Sequence, residues 1–142
     1  MIITVKFELA LDLCSEAPEK WERTVELDEQ TTLEDTHFII QSLVNFDDDH
    51  LYEFYIASSL HSAEKQRFEC ESPEIANTKI IDLYPLAKGK KIFYLFDYGD
   101  SWTFKVSKTR NKPKQAKPEL EYPLVITEVG DNPLQYPHWD AS

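Results

Sequence analysis

The chain has 142 residues, 42% of them apolar, and a formal net charge of −11. That size is one domain whose apolar content can bury a single core without disulfide or metal support, and the acidic balance excludes wrapping a nucleic-acid duplex with the whole surface. No apolar stretch approaches the length of a membrane-spanning helix. "MIITVKFELA" lacks the basic start and continuous apolar run of a signal peptide. Cys14 and Cys70 lie far apart in the chain, which reads as two reduced, buried thiols of a cytoplasmic protein.

From Ile3 to Leu13 every odd position is apolar, the period-two signature of a half-buried strand. "SEAPE" breaks it, and "KWERTVELD" resumes it with Trp21, Val25 and Leu27 on one face. Together these predict an N-terminal hairpin. In "TTLEDTHFIIQSLVNF" Thr32 and Asp35 form a capping box. Leu33, Ile40 and Val44 then make an apolar stripe with Phe38 and Leu43 adjoining, which predicts a helix over about residues 33–45.

After the polar "DDD" at 47–49, "HLYEFYIAS" reads as a strand and "RFEC" as a short one. "TKIIDLYPL" reads as a helical turn ending before Pro85. "GKKIFYLFD" and "SWTFKVSK" are two strands around "FDYGDSW", and "YPLVITEV" is a last one. "GDNPLQYPHWDAS" is an irregular tail from about residue 130. The expected fold is a single α+β domain over residues 1–142, with a mostly antiparallel or mixed sheet and one main helix packed on a face. Its ββαβ start followed by a hairpin is that of a β-grasp-like roll, in which the strand after the helix lies beside the first strand.

The chain holds three glycines. Gly99 falls between two strands, where a turn commonly needs positive φ. Asp97 and Asp100 suit the same turn, because their carboxylates accept from nearby N–H groups. The functional alternative is a pair of carboxylates beside an indole at the end of a sheet, able to bind a cation or to present an aromatic contact patch.

"KIFYLFDYGDSWTFKV" resembles the plasmid pRiA4b ORF-3-like family, also described as passenger proteins of a mycobacterial-type transposon, with its aromatic strand running into a D-F-G-D-x-W segment. "KWERTVELDEQTTLEDTHFIIQSLVNFDDDHLYEFYI" is similar to the family's I-W-R-R strand, T-L-x-x-L-H helix and H-L-x-x-F strand, so the resemblance covers most of residues 3–108. It implies an α+β roll, a link to mobile elements and no established activity. Phe104 stands where many members carry His, and the tail lacks the Glu-Asp-Gly-Gly ending.

His37, on the helix stripe, reads as a core-edge residue bonded to a backbone carbonyl, with an acid–base role as the alternative. His50 follows three acids and reads as part of a solvated turn, since the run lacks the spacing and glycine of a calcium loop. His61 and His138 carry no local signal. No G-x-S-x-G, P-loop, G-x-G-x-x-G, H-E-x-x-H or cysteine zinc pattern is present. Three arginines are too few for a serine recombinase.

"KVSKTRNKPKQAK" (105–117) holds six basic residues and no acid. It reads as a flexible, solvated loop, or else as an arm for nucleic acid.

The leading expectation is a non-catalytic binding or accessory module without cofactor or metal, engaging a protein partner and no membrane. Its candidate surface is Asp97, Tyr98, Gly99, Asp100 and Trp102 with His37 and His50. The alternatives are a metal-dependent hydrolase or nuclease-like enzyme using Asp97 and Asp100 with His50 or His37, and a weak nucleic-acid binder through Lys105, Lys108, Arg110, Lys112, Lys114 and Lys117.

Overall fold

The alternation of Ile3, Val5, Phe7 and Leu9 builds strand β1 (Ile2–Leu11), which pairs antiparallel with β2 (Glu22–Asp28) as a hairpin. The computed structural model describes residues 1–11 and 20–135. Leu13, Cys14, the "SEAPE" break, His138 and the end of the tail lie outside the described residues. Cys70 is free and half-buried.

Helix α1 (Leu33–Val44) starts at the expected capping box: Thr32 accepts from the Asp35 N–H, and Asp35 accepts from the Thr32 N–H. It ends at Asn45, whose φ of 58° is the left-handed C-cap conformation that Asn tolerates. Leu33, Ile40 and Val44 are buried against the sheet as the periodicity requires. Phe38 is not: it is 53% exposed, because its position turns it away from the stripe.

Strands β3 (Tyr52–Ala57) and β4 (Gln66–Glu69) follow, then a short helix α2 (Glu74–Asn77) that the sequence reading lacked, and a 3₁₀ turn at Ile80–Leu83. β5 (Lys91–Phe96), β6 (Trp102–Lys108) and β7 (Leu124–Val129) complete the chain. The seven strands form one antiparallel sheet in the order β4-β3-β5-β6-β1-β2-β7.

The α+β class with one main helix therefore holds. The β-grasp adjacency does not: β5 and β6 stand between β3 and β1. β5 carries Tyr94 and Phe96 on the helix-side face and Phe93 and Leu95 on the other, so it is stabilised by an interior position. β6 adds Trp102, Phe104 and Val106 to the helix side. The hairpin they form takes the centre and displaces β1 from β3.

The main core lies between α1 and this face. Arg23 occupies a core-facing position on β2. It is tolerated there because its guanidinium donates to the carbonyls of Glu22, Val129 and Gly130 and to Asn132 Oδ1, and lies 4.6 Å from the Trp21 ring centre. Asn132 also accepts from Trp21 Nε1 at 2.8 Å, so the irregular tail is fastened to β2 as far as it is described.

Candidate functional site

Period two aims Tyr94 from β5 at helix α1, and the helical repeat aims His37 and Gln41 back at it. Tyr94 Oη lies 2.5 Å from His37 Nδ1 and 3.0 Å from Gln41 Nε2. His37 Nε2 lies 2.9 Å from Asp48 Oδ1. A carboxylate only accepts, so Nε2 carries the proton and Nδ1 accepts from the Tyr94 hydroxyl. The chain runs Gln41 to Tyr94 to His37 to Asp48, from the core toward a half-exposed carboxylate.

His37 is 1% exposed and stacks flat on Tyr52, with centroids 3.6 Å apart. Burial lowers its pKa below the ordinary imidazole value, and Asp48 opposes that shift. Burial likewise holds the Tyr94 hydroxyl well above the ordinary phenol range. The expected carbonyl partner of His37 is thus replaced by two side chains. Neither neighbour was visible locally: Asp48 and Tyr94 lie eleven and 57 residues away. Gln41, four residues after His37 on the same helix face, joins the group through Tyr94 and not through His37 itself.

The "FDYGDSW" turn joins β5 to β6 across the Phe96–Trp102 pair. Its left-handed residues are Asp97 (φ 63°) and Ser101 (φ 55°); Gly99 lies outside that region, contrary to expectation. Asp97 Oδ1 accepts from the N–H groups of Gly99 and Asp100, and the Asp97 carbonyl accepts from the Ser101 N–H. Asp97 thereby caps one helical turn, which relieves Gly99 of the unusual conformation.

Asp97 Oδ2 lies 3.4 Å from His50 Nε2, which places His50 against the turn rather than in open solvent. His37 faces Asp48 and is not part of this group. Among the described residues no three His, Cys, Asp or Glu side chains converge as a metal-binding group, and Asp97 Oδ1 is occupied by the turn's own N–H groups.

Trp102, a candidate contact residue, is fully buried and packs edge-on to Phe46 at 4.8 Å. Tyr98 is 44% exposed and its hydroxyl donates to the Tyr52 carbonyl at 3.3 Å. Beside it Leu51 is 51% exposed, a residue that no local pattern singles out. The two line a depression of about 110 Å³ with Arg67, Glu69, Cys70 and Glu71.

This end of the sheet is fastened from several sides. The Asp97 N–H donates to the Leu51 carbonyl at 3.0 Å. Gln135 accepts from the Asp47 N–H and donates to the Asp47 carbonyl and to Asp49 Oδ1.

The basic segment divides. Lys105 and Lys108 belong to β6. Lys114 is not in a free arm: its backbone pairs with Ile2 in both directions and its ammonium bonds the buried carboxylate of Glu26. Arg110, Lys112 and Lys117 are exposed.

A crystal structure of a protein of unknown function from Methanosarcina mazei Go1 is similar in fold, with a TM-score of 0.69 and 22% identity over 89% of this chain and 68% of that one. No curated protein matches the chain. The profile of the plasmid pRiA4b ORF-3-like proteins matches residues 5–135. With the helix, the aromatic hairpin and the D-Y-G-D-S-W turn in their expected order within that span, the chain belongs to the plasmid pRiA4b ORF-3-like family.

Proposed function

We propose that the protein is a binding or accessory module that docks a protein partner at the Leu51–Tyr98 end of its sheet. The carrying observation is that two large, exposed side chains share one depression on backbone held by the Asp97 turn and the Asp97–Leu51 hydrogen bond. An aromatic anchor on a fixed scaffold loses little conformational freedom on binding, which favours its use as a contact residue. Glu69 and Glu71 line the same depression, where Arg67 pairs with Glu69 and leaves Glu71 without an ion-paired cation among the described residues. The fitting partner therefore presents an apolar side chain beside one basic group.

The metal-dependent hydrolase reading has less support: Asp97 Oδ2 does face His50, but Asp97 Oδ1 is held by its own turn and His37 by Tyr94 and Asp48. The nucleic-acid arm loses Lys114 to Glu26. The plasmid in the family's description is what supports a link to mobile elements.

The test is affinity capture from native lysate with the wild type and with Leu51→Asp and Tyr98→Ala. A partner retained by wild type and lost with both variants, at unchanged folding, supports the reading. Equal capture by all three refutes it.

A further inference from the structure

The far end of the same hairpin has the opposite charge. Lys90 and Lys108 flank a depression of about 100 Å³ lined by Tyr84, Leu86 and Val106, while Lys91 and Lys105 border it from strand positions that alternate to the other face of the sheet. No acid lines the depression. The ion-paired lysines among the described residues are Lys6, Lys20 and Lys114, so Lys90 and Lys108 have no carboxylate partner there, whereas Lys105 stands directly across from Glu8 on β1. In a chain with 26 acidic residues, two unpaired cations beside one hollow repel one another, and an anion placed between them removes that repulsion.

The frame around them is fixed. The Lys108 N–H donates to the Tyr84 hydroxyl at 3.0 Å. That hydroxyl accepts, so its own proton is available to a ligand oxygen. The Lys90 N–H donates to the Ala87 carbonyl at 3.0 Å across a turn in which Gly89 takes φ 79°.

Leu86 and Lys90 also line a second cavity of about 410 Å³, so the two hollows adjoin. Its apolar lining is Ile56, Leu83, Pro85, Leu86 and Ala87, a volume and character suited to a small molecule. Glu64 is the one acid on its wall; the Lys65 ammonium sits 4.6 Å from the Tyr55 ring centre.

We propose that this end of the sheet binds a small amphipathic anion, with a phosphate or carboxylate headgroup between Lys90 and Lys108 and an apolar body in the adjoining cavity. A nucleic-acid strand fits less well. The hollow admits one anionic group, and the remainder of the surface repels a polyanion.

The experiment is titration of isotope-labelled full chain, followed by amide chemical shifts, with octyl phosphate, octanoate, octanol, inorganic phosphate and oligothymidylate. Octyl phosphate or octanoate should give saturable shifts confined to residues 56, 64–66, 83–91 and 105–108, and the tighter of the two identifies the headgroup. Octanol and phosphate alone should bind at least about tenfold more weakly, since each supplies half of the recognition. Lys90→Gln with Lys108→Gln should weaken octyl phosphate binding by about tenfold or more while leaving the rest of the spectrum unchanged. Added NaCl should weaken it in the wild type. Absence of saturable shifts there, octanol binding as tightly as octyl phosphate, an unaffected double variant, or oligothymidylate binding the same residues more tightly would each overturn the proposal.

Discussion

The Tyr94 hydroxyl and His37 Nδ1 meet at 2.5 Å inside the core and join helix α1 to the central strand β5. Tyr94 is at once the donor to His37 and the acceptor from Gln41. Tyr94→Phe keeps the ring and removes both bonds, leaving a buried imidazole nitrogen and a buried amide without partners. The expected cost is about 1–3 kcal/mol, read as a lower urea midpoint at unchanged slope. A midpoint equal to wild type would show that the chain of bonds contributes nothing.

His37 also gives the protein a pH dependence. Burial depresses its folded-state pKa below the unfolded value, so the unfolded chain takes up the proton first as pH falls. The stabilisation is complete above the unfolded imidazole pKa of about 6.5 and is lost as pH drops from there toward the lower folded value. Wild type should therefore lose more stability between neutral and mildly acidic pH than His37→Gln, which has no such proton to take up. Parallel urea midpoints for the two proteins across that range would contradict this.

The hairpin turn separates two substitutions that the sequence alone would rank the other way. Gly99 is outside the left-handed region, and a Cβ there would meet Asp97 Oδ1 at 3.4 Å, an ordinary contact. Gly99→Ala should leave stability within about 0.5 kcal/mol of wild type. Asp97→Ala removes the acceptor for two N–H groups at φ 63° and should cost about 1–2 kcal/mol. Thermal melts of the two variants check the order. Gly130 is the glycine that cannot change, since a Cβ there would lie 1.9 Å from the Lys20 carbonyl oxygen at φ 82°.

Features fixed by near neighbours were legible in the sequence: the Ile3–Leu9 alternation, the Thr32–Asp35 capping box, and the opposed faces of Tyr94 and Phe93. Features fixed by distant partners were not. Strand order depends on which hairpin is apolar on both faces, and a local pattern of ββαβ does not encode that competition. His37 shows an apolar stripe around it in sequence, while its partners come from a loop and from a strand. Gly99 was misread because glycine scarcity says where a special backbone position is tolerated, whereas the Asp97 carboxylate decides where it falls. The basic run looked uniform, yet pairing with Ile2 and Glu26 takes Lys114 out of it.

That division predicts unequal effects along the run. Lys108→Gln, Arg110→Gln and Lys112→Gln together should leave the melting temperature unchanged. Lys114→Gln should lower it, because the Glu26 carboxylate, 6% exposed, loses its cation. Equal melting of the triple and the single variant would return Lys114 to a free arm.

The central claim is that a partner seats on the Leu51–Tyr98 end of the sheet, and amide hydrogen exchange on the captured complex tests it most directly. Bound partner should slow exchange at residues 51–52 and 98–101, and Leu51→Asp should abolish that protection while the core amides of β5 and β6 exchange as in wild type. Protection confined to any other face, with residues 98–101 exchanging as in the free protein, would contradict the account.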